Sequence, residues 1–390
     1  MNALQAEPRT GEWLEDPGFG VYVHIPFCLK RCHYCDFNTY EGQEILHRAY
    51  VDALVSDIER ARGDFPPASS VFFGGGTPTI LPSSALAGVL DAVRARVGVA
   101  VDAEITVEAN PETVDERYFE SLLDAGFNRF SLGVQSLRPH VLRELGRTHS
   151  ADTALAALAA ARRAGVDDLN ADLIFGSPWE DADDWARSLQ GVIEASPDHV
   201  SAYALTVEAG TPLHTLVATG RVPDVDPDVQ AERHEAAEET LAAAGYVRYE
   251  ISNWARTRRA SRHNLLYWSA GDYLGFGAGA HGHLGGRRSW TLRLPRAFVD
   301  AVGSGISTEA GAELLTPDER AGEALMLGLR LASGVHVDGF GRRFGTSALS
   351  GRRSSIAVLK ARGLLEDAGG WLRMAPERAL LEGEAARSLL

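Results

Sequence analysis

Cysteine and methionine are scarce in this 390-residue chain, with three of each. All three cysteines lie between positions 28 and 35, so no disulfide framework ties the chain together. So tight an odd group points to thiolates held for metal in a reducing compartment, and the expected location is the cytoplasm. Long apolar runs are missing as well. The longest, Ala154 to Ala161, is mostly alanine and falls far short of the roughly 18 residues a membrane span needs, so no transmembrane segment is expected. Basic residues are outnumbered, 38 Lys and Arg against 53 Asp and Glu, for a net charge of −15. Non-specific nucleic-acid affinity rests on cations, and nucleic acid is therefore not an expected partner. Met1 to Gly18 carries Glu7, Glu12, Glu15 and Asp16 without an apolar centre and does not read as a secretory signal.

The remaining composition is that of an ordinary globular chain, 45% hydrophobic and long enough for two or three domains. From Gly20 to about Thr206, β-rich runs alternate with helical patterns. The runs are Val21 to Ile25, Ser70 to Phe73, Glu104 to Glu108, Arg129 to Val134, Leu169 to Phe175 and His199 to Leu205. Between them apolar residues recur at helical spacing, as in Tyr50, Leu54, Val55 and Ile58. Thr113 and Glu116 have capping-box spacing before a helix that Gly126 closes. Six strands with helical connections predict an α/β fold with a parallel sheet. Six units are too few for a closed eight-stranded barrel, which leaves a partial (β/α)6 barrel or an open doubly wound sheet. Either way, ligands belong at the carboxyl ends of the strands. The distinctive residues fall there together: the cysteines, Gly74-Gly75-Gly76, Glu108, Gln135 and Asp172.

After about residue 215 the pattern changes. A Pro- and Asp-rich linker (Pro223 to Asp228) leads to an acidic helix from about Val229 to Ala244. Arg256, Arg258, Arg259 and Arg262 follow, then His263-Asn264-Leu265-Leu266-Tyr267-Trp268 and a glycine-rich run from Gly271 to Gly286. Helices opening at Pro317 and spanning Ser354 to Arg362 precede a hairpin turning at Gly369-Gly370, which reads as a winged-helix pattern. The expected division is an N-terminal extension (1–18), the partial barrel (19–215), a linker and motif region (216–310), and a smaller winged-helix-like C-terminal domain (311–390).

Cys28, Cys32 and Cys35 are spaced C-x-x-x-C-x-x-C on the loop after the first strand. Soft thiolates select zinc, Cu(I) or iron–sulfur clusters. A closed zinc site wants four ligands, so a Cys3His site would have to recruit His24 or His33. A [4Fe–4S] cluster held by three thiolates leaves one iron open for another ligand. Phe27, Lys30, Arg31, Tyr34 and Phe37 surround the loop and are expected to shield it and to lower the thiol pKa values.

Tyr22-Val23-His24-Ile25-Pro26-Phe27-Cys28 followed by Cys32-His33-Tyr34-Cys35 resembles the radical S-adenosylmethionine (SAM) superfamily. Within it the chain is similar, from Val21 into the winged segment, to the branch of the oxygen-independent coproporphyrinogen III oxidases and their haem-chaperone relatives. The resemblance implies that Cys28, Cys32 and Cys35 hold a [4Fe–4S] cluster whose open iron is chelated by SAM. It implies SAM contacts from Tyr22, Tyr34, Gly75, Gly76, Thr77, Glu108, Gln135, Arg147 and Asp172, with Ala204 a looser match. Taken singly, a Gly-Gly-Gly-Thr turn is a turn, and an acid at a strand end is a cap. Their joint placement on one rim is what reads as a site.

Two features depart from the oxidases: Phe37 stands where they carry a further cysteine, and only 27 residues precede Cys28. Both favour the chaperone relatives. The run from His263 to Trp268 resembles their haem-associated motif, which implies His263 as an axial ligand. Tyr267 and Trp268 would flank the macrocycle, and the arginines from Arg256 to Arg262 would meet its propionates. The bland alternative is a capped turn with core aromatics and a solvated basic face. His281 and His283 are second candidates for the ligand. The arginines Arg342, Arg343, Arg352 and Arg353 suggest a lid or docking module rather than DNA reading, given the acidic balance. The expected function is therefore that of a haem chaperone passing haem to an acceptor protein, with a low-potential electron donor if SAM is cleaved. The alternatives are a radical-SAM porphyrinogen decarboxylase and a zinc-stabilised binding module.

Overall fold

In a computed structural model, which describes residues 11–390, all six expected strands form. The first ten residues of the expected N-terminal extension lie outside the described residues. Strands β1 (Phe19–Ile25), β2 (Ala68–Gly75), β3 (Val99–Ala109), β4 (Arg129–Gln135), β5 (Asp168–Phe175) and β6 (His199–Ala204) are parallel and adjacent in chain order. An order without reversal sends each crossover to the same side, because such connections are right-handed. The helices His47–Glu59, Ser83–Arg96, Glu116–Asp124, Ala151–Arg163 and Ala182–Ala195 thus cover one face of the sheet. The other face becomes the inside of a partial barrel, and the doubly wound alternative falls away.

The segment 216–310 extends this sheet at both edges. β7 (Val247–Glu250) and β8 (Asn253–Ala255) continue it beyond β6, while β9 (Asp272–Phe276) runs parallel beside β1. β10 (His281–Leu284), β11 (Arg287–Thr291) and β12 (Glu309–Leu314) follow as an antiparallel meander, completing a twelve-stranded sheet. A second unit packs helices Pro317–Gly328, Val337–Phe344 and Arg353–Ala361 against a small sheet of β13 (Val335–His336), β14 (Leu365–Ala368) and β15 (Trp371–Met374). Its core is built on Leu325, Phe340, Leu359 and Leu372 and takes in Trp13 from the start of the described chain.

Strand alternation sorts the side chains. In β4, Phe130, Leu132 and Val134 join the apolar core beneath the helices, while Arg129, Ser131 and Gly133 face inward. The same two-residue period runs through Glu104, Thr106 and Glu108 of β3 and Asp168, Asn170 and Asp172 of β5. The inward groups pair with one another. Arg129 lies 3.7 Å from Glu104 and 3.9 Å from Asp168, and Ser131 Oγ donates to Asp172 at 2.7 Å. His199 bridges Asn170 Oδ1 and the Tyr249 hydroxyl. Buried polar groups usually find hydrogen-bond partners; here Arg129 is held by charge alone, since its Nε and Nη1, like Thr106 Oγ1 and Asp168 Oδ1, have no hydrogen-bond partner among the described residues.

Helix Arg262–Trp268 lies inside the barrel, against its amino-terminal end. The Glu104 carboxylate accepts from the backbone N–H groups of Arg262 and His263 and from Ser261 Oγ, which seats the start of the helix on β3. The expected capping pair of Thr113 and Glu116 is not formed. Asp115 caps that helix by accepting from the Tyr118 N–H, and Thr113 Oγ1 instead donates to the Asn110 carbonyl. An Asp fits the cap position at least as well as a Thr, and it stands next to the first helical residue. Asp115→Ala is expected to lower stability by about 1 kcal/mol in urea denaturation, whereas a variant with unchanged stability would mean the cap contributes nothing.

Candidate functional site

The cysteine loop leaves β1 and is pinned at several points. The Cys28 N–H donates to the Tyr40 carbonyl, and Tyr40 N–H returns to Pro26. The His33 N–H reaches the Leu145 carbonyl, and its ring Nδ1 sits 2.9 Å from the Glu144 carbonyl. His24 is buried with both ring nitrogens engaged, one by the Tyr22 hydroxyl and one by the Asn38 carbonyl. His24 thus has no free nitrogen for the Cys3His alternative, and His33 has one ring nitrogen committed to the Glu144 carbonyl. Among the described residues no three His, Cys, Asp or Glu side chains gather around a single ion position. A zinc site needs such convergence, whereas in a cubane each thiolate takes its own iron.

Burial pushes the Cys28 thiol up to about 11 and raises Cys35 as well, despite the hydrogen bond from Thr77 to Cys28. The basic neighbours expected to lower these pKa values do not outweigh desolvation. A bound cation would displace those protons, because metals take thiolates.

The loop forms one wall of a cavity of about 500 Å³, and nine of the ten expected cofactor residues line it: Tyr34, Gly75, Gly76, Thr77, Glu108, Gln135, Arg147, Asp172 and Ala204. Tyr22 does not; it faces the neighbouring cavity. The glycines are needed for the approach. A Cβ on Gly76 would stand 2.5 Å from the Phe27 carbonyl oxygen, and Gly75 holds a φ of +112° with the His24 ring where its Cβ would be. At the end of β4 the pairing with β5 skips a residue, and Gln135 takes a φ of +65°. Such a bulge re-aims a side chain at a barrel rim.

Arg147 is buried and reaches Cys32 Sγ at 3.4 Å, Asn110 Oδ1 at 2.6 Å and the Gly133 carbonyl at 3.1 Å. Its Nε has no partner among the described residues. A buried cation with an unused donor beside the thiols fits an anionic group there. Asn110 joins Arg147 to Thr77 Oγ1, which lies 3.0 Å from its amide. The sequence alone does not single out Asn110. Its position just past the end of β3 was the available clue. Burial, with Asp172 close by, raises Glu108 to about 8, although the Gly75 N–H donates to its carboxylate at 3.1 Å. Asp172 is likewise raised by burial against hydrogen bonds from Ser131, Ser201 and Asn170. Three free thiols, a cradle without Cβ atoms and a pair of buried acids make up a donor set that fits an iron–sulfur cluster and an aminoacyl nucleoside.

A second cavity of about 790 Å³ adjoins the first and shares Phe37, Gly75 and Glu108 with it. Tyr267 and His281 line it, and His263 and Trp268 do not. His263 is 1% exposed on the barrel floor, its Nδ1 2.9 Å from Ser70 Oγ and its ring stacked on Phe72 at 5.2 Å. Burial lowers its pKa to about 3. Trp268 lies under Arg330 instead. The arginines expected at propionates are taken up elsewhere: Arg256 stacks on Tyr246, Arg259 pairs with Asp167, and Arg262 reaches Asp102. In the winged unit Arg342 pairs with Glu15, Arg343 binds the Ser269 and Ala270 carbonyls, and Arg352 binds Asp318.

Residues 22–192 match the model of the radical SAM superfamily, and residues 315–380 match the HemN C-terminal domain. A Mycobacterium tuberculosis protein named heme chaperone HemW is 41% identical over 377 residues, 95% of this chain and 95% of that protein. A Bacillus subtilis protein of the same name is 32% identical over 373 residues, 95% of this chain and 98% of the other. Among solved structures, coproporphyrinogen III oxidase (HemN) from Escherichia coli aligns with a TM-score of 0.81 at 23% identity, covering 99% of this chain and 92% of that one. At that identity the likeness speaks for the fold.

The raised Glu108 pKa has a defined consequence for stability. Between its ordinary value of 4.5 and about 8 the folded carboxyl keeps a proton that the unfolded chain has lost. Folded protein then binds more protons than unfolded, so this group's contribution to stability falls as pH rises through that window. In the cluster-free protein, Glu108→Gln should gain on the parent in urea denaturation from pH 5 to pH 8; an equal offset at both values would refute the raised pKa.

Proposed function

This chain belongs to the radical SAM superfamily and, within it, to the HemW family, and from that footing we propose that it is a haem chaperone of the cytoplasm. It holds a [4Fe–4S] cluster on Cys28, Cys32 and Cys35, binds SAM in the cavity beside them, and passes haem to an acceptor protein. The observation that carries the proposal is identity of up to 41% along nearly the whole length of relatives bearing the HemW name. The cavity geometry supports it, since the cysteines and nine of the expected cofactor residues line one cavity.

Bound at the open iron of such a cluster, SAM supplies one-electron reductive cleavage chemistry when a low-potential donor is at hand. The chain's own residues do the rest. Gly75 and Gly76 bring backbone groups close to the ligand, and Glu108 and Asp172 sit where a ribose diol or an amino group needs an acceptor. Arg147 holds positive charge beside Cys32, which favours an electron-rich cluster. Phe37 lies between the two cavities, 66% exposed, as an apolar partition rather than a further thiol. Among the described residues no helix is long and apolar enough to cross a membrane.

Anaerobic reconstitution should yield about four irons and four sulfides per chain, and the Cys28→Ser, Cys32→Ser and Cys35→Ser variants should each lose most of them. Tightly held zinc without iron would overturn the proposal. Arg147→Gln should retain less cluster than the parent, judged by iron content after desalting. Coproporphyrinogen supplied with SAM and a reductant should not be decarboxylated, and robust turnover would convert the reading to the oxidase.

A further inference from the structure

The second cavity has a composition that the cluster and SAM do not require. Its walls include Tyr267, Tyr273 and Trp290, broad aromatic faces suited to a flat apolar ring. His281 and Arg293 also open on it. We infer that this cavity is the haem seat, with the His281 imidazole as axial ligand to the iron and Arg293 as the partner of a propionate. This assignment rests on the chaperone proposal and moves the ligand from the motif histidine to β10.

Elimination and fit both support it. An axial ligand needs an unengaged ring nitrogen facing the cavity. His24 has both nitrogens engaged, and His283 Nδ1 lies 3.2 Å from the Gly271 carbonyl. His263 has an unpartnered Nε2, but the ring is sealed in the floor between Phe72 and Tyr267 and is absent from the cavity wall. His281 makes no side-chain hydrogen bond among the described residues and stacks beside Trp290, ring centres 6.0 Å apart. Partial burial and the nearby Arg293 and Arg288 keep it below its ordinary pKa, so the neutral imidazole donates its lone pair to iron without shedding a proton. Burial raises both Tyr267 and Tyr273, so neither offers a phenolate in competition.

Arg293 has no carboxylate within ion-pair distance among the described residues. Its only side-chain hydrogen bond runs from Nε to Asn38 Oδ1 at 3.4 Å, which leaves the terminal nitrogens for an incoming carboxylate. The cavity is within the size range of small-ligand sites, and it touches the cluster cavity through Phe37, Gly75 and Glu108. Haem seated there would lie against the cofactor cavity rather than on a remote surface.

The test titrates ferric haem into the reconstituted full-length protein and reads the Soret band and the electron paramagnetic resonance spin state. His281→Ala should lose the imidazole-ligated spectrum and bind at least about tenfold more weakly, and added free imidazole should restore the spectrum. His263→Gln, which keeps a hydrogen-bonding group near Ser70, should retain the parent spectrum. Haem dimethyl ester supplies the second arm. Arg293→Ala should weaken binding of the free acid and leave the ester unaffected; equal effects on both, or none, would reject the role of Arg293. A His281→Ala protein with the parent's spectrum and affinity would overturn the ligand assignment alone. A parent protein that takes up no haem would instead bring down the chaperone proposal beneath it.

Discussion

The architecture rests on the strict two-residue period of the parallel strands. Each strand must satisfy two unlike surfaces, a helix layer outside and a polar hollow inside. Phe130, Leu132 and Val134 serve the first, and Arg129, Ser131 and Gly133 serve the second. A one-residue slip in any strand would drive charge into the apolar layer and empty the interior network. The ion pairing of Arg129 with Glu104 and Asp168, and the hydrogen bond of His199 with Asn170, tie neighbouring strands in register.

The same alternation carries polarity from the floor of the barrel to its rim. Arg129 and Asp168 open their strands and Glu104 stands midway along β3, while Glu108, Gln135 and Asp172 lie further toward the exit ends and line the same cavity as the cysteine loop. Helix Arg262–Trp268 plugs the floor, with its amino end on Glu104 and His263 on Ser70. That plug separates the roles of one short motif. His263, Leu265 and Leu266 are packing groups, Tyr267 faces a cavity, and Trp268 reaches the winged unit through Arg330.

The two adjoining cavities follow from this plug and from the insertion of β9 next to β1. The cysteine side is furnished by loops after β1 to β6, and the aromatic side by β9 to β11 and the plug helix. Glu108, Gly75 and Phe37 belong to both. On the proposed reading, a redox cofactor and a flat aromatic ligand would occupy neighbouring compartments that meet at these three residues. The winged unit contributes packing to Trp13 and Tyr249, and most of its conspicuous arginines are spent on internal partners.

The amino-acid sequence determined by itself the six-strand rhythm, the cysteine loop and the rim on which nine of the expected cofactor residues meet. Those features rest on local periodicity and on positions just after strand ends, which any right-handed β/α succession brings to one side. The helix cap expected at Thr113 lies two residues on, at Asp115, because both are competent caps and only the backbone path chooses between them. The short strands β7 to β12 carry too few residues for a period to show. What only the tertiary structure decided is where distant segments land: His263 on the floor instead of a cavity wall, Arg259 and Arg262 on outer partners, and His281 with Arg293 on the lining of a cavity. Such placements depend on contacts between residues far apart in the chain, Ser70 with His263 and Val23 with Phe276, and no local pattern encodes them.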